Sequence, residues 1–285
     1  MRRSHYSRRN DRRWPGCSLV VLAVAQASAG ELARSENFGF SGQACADVRS
    51  AYIARGKVVD KHLSSGQQAG LWCGSDWTGR VGGHIWSMSS FTDDGQRAPR
   101  RMAYNKINYN VNYCCDLAIA DGWRLANRVA LQWVDYPGYK NGVPLTSEWH
   151  VSQALANPYA TPYYLLRRAY DPKRWCYWKV GFKRTFPVVS RVSFTIDLFG
   201  DLGDSNHWLC LYGPRPDGQD YSDGLAALNL MARMDWMLTD ALGIFVTAHQ
   251  FDIVSSAARE TIRASDAPEA KADLFVAYAG CKVVF

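Results

Sequence analysis

The stretch AYNKINYNVNYCCDL, from Ala103 to Leu117, alternates almost without a break. Ala103, Ile107, Tyr109, Val111, Tyr113, Cys115 and Leu117 share one parity, on which only Asn105 is polar; Lys106, Asn108, Asn110, Asn112 and Asp116 occupy the other. Successive side chains of a strand point to opposite faces, so this segment is wet on one side and apolar on the other. Strands of water-soluble sheets usually run ~5–6 residues, whereas this pattern persists as far as a tilted membrane-crossing strand requires, ~9–11 residues plus its ends. The reading is a barrel wall with lipid outside and water inside.

The same alternation recurs on both sides. Asp121-Gly122 marks a tight turn into Trp123 to Asp135, where Leu125, Val129, Leu131 and Trp133 oppose Arg124, Arg128 and Gln132. After a loop from Pro137 to Ser147, strands are expected at Glu148 to Ala156, Pro162 to Tyr170, Trp175 to Phe186 and Arg191 to Phe199. In the last two, Cys176, Trp178, Val180, Phe182, Val192, Phe194, Ile196 and Leu198 form outward rows, while Lys179, Lys183, Thr195 and Asp197 point the other way. The polar connection Gly200 to Gly224 contains an apolar patch, Trp208 to Tyr212, read as a strand extended above the membrane. Leu225 to Met237, Leu242 to Phe251, a charged loop Asp252 to Ala272 and a final strand to Phe285 complete the chain. Leu225 to Leu242 is rich in helix formers, but Asn229, Arg233 and Asp235 on one parity favour a strand. Towards the N-terminus, strands are expected near Ala46 to Arg55, with Asp47 and Arg49 opposing Val48 and Tyr52, then at Gln67 to Cys73 and Trp77 to Met88. Gly79, Gly82 and Gly83 lack the Lys-Ser/Thr of a phosphate loop and read as small residues where a wall bends.

The connections supply an independent test. Those around Gly74, Asp121, Asn157, Pro187 and Thr239 are short, and those between them are long, except Asp171 to Arg174 after the seventh strand. Short turns on one side and longer loops on the other, with an even strand count, is the rule of outer-membrane barrels. The expected fold is therefore all-β, a transmembrane antiparallel up-and-down β-barrel of about 12 strands.

The first residues carry Arg2, Arg3, Arg8, Arg9, Arg12 and Arg13, the apolar run Ser18 to Ala25 and then Ala27-Ser28-Ala29. Basic segment, apolar run and small-residue site read as a secretory signal peptide over residues 1–29, leaving a short periplasmic tail over 30–44 and the barrel over 45–285. The formal net charge of +7 belongs largely to that leader, which holds six of the 33 basic residues and one of the 26 acidic ones; 27 against 25 remain, a net of +2. That balance gives no support for nucleic-acid binding. Of eight cysteines, Cys45, Cys73, Cys114, Cys115, Cys176, Cys210 and Cys281 follow the leader without zinc-like spacing, so neither metal nor cofactor is expected. Cys45 and Cys281 are placed on the two strands that close the barrel, where an oxidising compartment permits a bridge.

The segment Asp273 to Phe285, with Phe275, Ala277, Ala279, Cys281, Val283 and Phe285 on one face, resembles the C-terminal signal of bacterial outer-membrane proteins. Tyr52-Ile53-Ala54-Arg55-Gly56 is similar to the Y-x-x-R-G that closes the first strand in porins of the TorF type and related outer-membrane barrels. The resemblance implies an outer-membrane location, porin activity, the barrel-assembly machinery as a partner, and an assembly signal carried by Phe275, Tyr278, Val283 and Phe285.

His150-Val151-Ser152 sets an imidazole and a hydroxyl on one strand face, similar to the H-x-S-N of barrel phospholipases and lipid A deacylases. Gln153 replaces the asparagine, and parity turns both residues toward the lumen rather than the lipid, so a plain lumen-facing pair is the default. Asp201, Asp204, Asp217, Asp220 and Asp223 read as a solvated loop, lacking the spacing of a dedicated calcium site. Trp123, Trp133, Tyr136, Trp149, Tyr163, Tyr164, Trp175 and Trp236 near strand ends read as interfacial girdles. Parity assigns Arg49, Arg80, Lys106, Asn108, Asn110, Arg124, Arg128, Lys179, Lys183, Asp197, Arg233 and Asp235 to the lumen. The functional classes that follow are a diffusion channel, weakly anion-preferring and admitting small anionic solutes, a non-conducting scaffold or adhesin acting through its loops, and a lipid hydrolase using His150 and Ser152.

Overall fold

The computed structural model describes residues 39–54, 57–60, 63–75, 79–91, 104–137, 145–264 and 272–285. The signal-peptide segment, Arg55-Gly56 and Ala103 lie outside these. Among the described residues, twelve antiparallel strands close into one barrel: β1 (Gly39–Arg49), β4 (Ser64–Ser75), β5 (Gly79–Ser90), β6 (Tyr104–Ala120), β7 (Trp123–Asp135), β8 (Thr146–Ala156), β9 (Thr161–Asp171), β10 (Trp175–Val189), β11 (Val192–Gly203), β12 (Gly224–Met237), β13 (Leu242–Ile253) and β14 (Asp273–Val284). β2 (Tyr52–Ala54) and β3 (Lys57–Asp60) form a separate hairpin. β1 pairs with both β4 and β14, so the sheet has no free edge, the condition for a β structure in lipid.

The alternation read from Ala103 to Leu117 becomes the two faces of this wall. Val111, Val129, Phe182 and Val246 leave 52, 52, 58 and 55% of their surface exposed on the outside. In water such a continuous apolar surface would drive aggregation, and in a bilayer it is the solvated face. On the other side Asn110, Asn112, Gln132, Glu148, Asn229 and Thr247 are buried inside the barrel. Gly122, with φ +74, turns the chain from β6 to β7. At the seam Phe285 exchanges backbone hydrogen bonds with Gly42, N to O at 3.0 Å and O from N at 2.7 Å. A Cβ on Gly42 would lie 2.4 Å from the Phe285 ring, so the glycine makes room for the terminal aromatic.

Several expectations are corrected. β1 begins at Gly39 and ends at Arg49, so Tyr52 does not close the first strand on the lipid side. Its ring turns inward, stacked 5.4 Å from Trp86, with Arg49 and Lys106 over its face at 5.6 and 5.9 Å. Two cations and an aromatic partner hold an amphipathic ring better than lipid does. Trp208 to Tyr212 is helical: α1 (Ser205–Tyr212) starts where the Asp204 carboxylate accepts the His207 N–H at 2.7 Å and ends at Gly213. An N-capping aspartate at a strand end favours a helical turn over strand extension. Asp201 lies in β11 and is buried, not in a solvated loop. The expected charged loop contains α2 (Ser256–Ala264). Cys45 and Cys281 do sit on paired strands, but Ala46 is the partner of Cys281, so the two thiols project to opposite faces and both are free. The short link after the seventh barrel strand stands, with β9 and β10 paired from Ala169 and Trp175 to Thr161 and Lys183.

Candidate functional site

The lumen encloses a cavity of about 830 Å³. Its lining reaches from Arg49, Ala51, Tyr52 and Ile53 at the long-loop end to Cys114, Asp116 and Lys183 towards the short-turn end. Twelve strands give a wider bore than the side-chain-filled interior of eight-stranded barrels.

One wall is built by β4 to β8. The Asn110 carboxamide oxygen accepts from Arg128 Nη2 at 3.1 Å and from Asn112 Nδ2 at 2.9 Å, while Asn112 accepts the Trp72 indole N–H at 2.7 Å. Above them the buried Glu148 carboxylate receives Gln132 at 3.5 Å and faces His150 Nε2 at 3.2 Å. The opposite wall runs over β9 to β13. Asp201 accepts from Tyr177 and, at 2.8 Å, from Asn229, whose own oxygen lies 2.8 Å from His249 Nε2. Tyr163 donates to Asp197 at 2.7 Å. Lys179 Nζ rests 3.3 Å from the Phe199 ring centroid and 5.5 Å from that of Tyr163.

Of the residues assigned to the lumen by parity, Arg49, Lys106, Asn108, Asn110, Arg128, Lys179, Lys183 and Asp197 line the cavity. Arg80 and Arg124 lie exposed nearer the short turns, Arg124 paired with Asp116 at 3.4 Å. Arg233 and Asp235 are tied into an ion cluster with Lys282, at 2.7 and 2.6 Å, outside the cavity lining. His150 and Ser152 both line the cavity, away from lipid. Sequence reading missed Arg167, Tyr177, Asp201 and His249. Tyr177 shares the parity of Lys179 and Lys183, so the signal was present. Tyr163 and Trp175, read as girdle residues, instead face inward; Trp175 is buried and packs on His207 of α1. Trp236, 51% exposed, fits the girdle reading. The lining carries six lysines and arginines against three aspartates, with Asp197 and Asp201 already occupied by tyrosine hydroxyls.

Around the long-loop mouth, α1 and α2 pack over strand ends. Trp208 and Tyr221 join Ala226, and Phe251 and Ile253 join Ala258 and Ile262, in two apolar clusters. Arg259 of α2 binds Asp252, the Ile253 carbonyl and, at 2.9 Å, Asp273.

A closed wall, apolar outward and polar inward, defines the chain as an outer-membrane β-barrel. No family model matches it, and no curated protein does. Among solved structures, an outer membrane channel from Pseudomonas putida F1 is similar, with TM-score 0.51 and 11% identity over 90% of this chain and 98% of that one. The KdgM porin aligns with TM-score 0.46 and 6% identity over 86% and 99% of the two chains. At these identities the likeness is one of fold.

Proposed function

We propose that the barrel is a channel for passive diffusion of small polar solutes, weakly anion-preferring. The observation that carries this is the charge of the cavity lining, six cations against three carboxylates in a low-dielectric wall. Fixed charge of one sign raises the local concentration of counter-ions, and salt screens the effect over ~8–10 Å near physiological strength. The short-turn rule puts the long loops outside the cell, and export would proceed through removal of residues 1–29. Recognition by the assembly machinery rests in this proposal on the strand that ends at Phe285, with Phe275, Tyr278 and Val283. No catalytic step belongs to the proposal; the inward orientation of His150 and Ser152 argues against lipid hydrolysis. A second reading, a scaffold acting through its outer surface, draws support from the packed helices α1 and α2.

The test is reversal potential in a planar bilayer under a KCl gradient. Arg128→Glu, inside the cavity, should move it toward cation preference, and more than Arg124→Glu at the exposed short-turn end. A conducting barrel whose reversal potential ignored both changes would remove the anion preference, and no conductance at all would favour the scaffold.

A further inference from the structure

Across β7 to β10 one hydrogen-bonded row reads Arg128, Ser152, Leu165, Lys179, each the direct cross-strand partner of the next. All four line the cavity. One step up on the same face, Arg167 pairs with His150 on one side and Tyr177 on the other. The row therefore places an arginine and a lysine about three strand spacings apart, roughly 14 Å between their Cα atoms, with a hydroxyl between them and a second guanidinium diagonal to both. Bringing like charges together on one patch costs stability unless something compensates.

Among the described residues, no salt bridge does so for two of them, although Asp201 stands directly opposite Lys179 across β10 and β11. Neither Arg128 nor Lys179 enters an ion pair. The Arg128 Nε is buried without a hydrogen-bond partner, and its other contact is the neutral Asn110 oxygen. The nearby carboxylates take their hydrogen bonds from other groups, Asp201 from Tyr177 and Asn229, Asp197 from Tyr163, and Glu148 from Gln132 with His150 beside it, so none is bonded to Arg128 or Lys179. Lys179 has aromatic faces about it, beside the Asp201 carboxylate that it faces across β10 and β11.

We infer that this row is a binding site for the phosphate group of a small solute, held between Arg128 and Lys179 with Ser152 as hydroxyl donor and Arg167 above. A guanidinium presents a planar fork that matches two oxygens of such a group, a lysine adds a point charge, and a serine donates one further bond. The inference rests on the channel reading only in taking the lumen as a solute path, so its test is made first without conductance.

The detergent-solubilised barrel, its fold checked by heat-modifiable migration, is titrated calorimetrically with inorganic phosphate and with methyl phosphate at constant ionic strength. Saturable binding is expected, with the tighter ligand marking free phosphate or a phosphate ester as the source. Arg128→Gln and Lys179→Gln should each weaken it about tenfold, the loss of one charge-assisted hydrogen bond. Arg124→Gln, off the row and paired with Asp116, should stay within about twofold, as expected of an exposed pair. Absence of saturation overturns the site, as does an equal loss in all three variants, which would be general screening. In bilayers, conductance in plain KCl tests the channel: a conducting barrel without saturable phosphate binding sinks the site alone, and a silent barrel that binds phosphate sinks the channel alone.

Discussion

The two ends of this barrel are built on different principles. At the short-turn end the strands stop at tight connections, and the chain's last residue pairs with Gly42 to close the wall. Among the described residues no buried apolar cluster forms there; the strands are held by cross-strand bonds and by lipid on their outer face. At the long-loop end the chain makes a hairpin and two helices, buries Tyr52, Trp208 and Tyr221, and locks α2 through Arg259. The difference teaches that closure of the wall and order at the mouth are separate problems, the first solved by backbone pairing and the second by ordinary side-chain burial.

That separation is breakable. Removing Phe285 takes away two backbone bonds and the ring over Gly42, and it should lower the amount of heat-modifiable barrel in the outer membrane severalfold, because an unpaired edge in lipid is costly. A charge at Val283 on the lipid face should act in the same direction. Unchanged levels of folded protein would mean that the seam is held elsewhere. Trp208→Ala should cost ~3–5 kcal/mol, but locally, at the mouth. Limited proteolysis should then cut within residues 204–223 while the barrel keeps its anomalous gel mobility; loss of that mobility would show the two ends to be one cooperative unit.

A smaller effect is expected from Arg259→Gln. Its contacts are partly exposed, so the clamp contributes on the order of 1 kcal/mol. Amide exchange should quicken in Ser256–Ala264 and stay as it was in β13 and β14; exchange that rose equally in the strands would tie the helix to the wall. The mildest perturbation is a tag. Placed at Gly218, in open space with φ +71, it should leave folding untouched and be reachable on intact cells, whereas a tag at Asp121 in the β6–β7 turn should not be. Reversed labelling would invert the assignment of the two ends.

The wall itself was legible in the chain. Period-two alternation through Lys106 to Leu117, the Asp121-Gly122 turn and the parity of connection lengths are local signals, and a one-residue slip would turn every side chain to the wrong solvent. For that reason Lys106, Arg128, Lys179 and Asp197 could be assigned to the lumen from sequence. What the tertiary structure alone decided is which inward residues meet across the bore. Parity gives a face but no height or partner, so it could not separate Arg128 inside the cavity from Arg124 beside a turn, or show Asp235 neutralised by Arg233 and Lys282. Nor could it see that Tyr52 and Trp208 are buried at the mouth, since their partners, Trp86 for one and Tyr221 and Ala226 for the other, become neighbours only once the strands have closed and the loops have folded back.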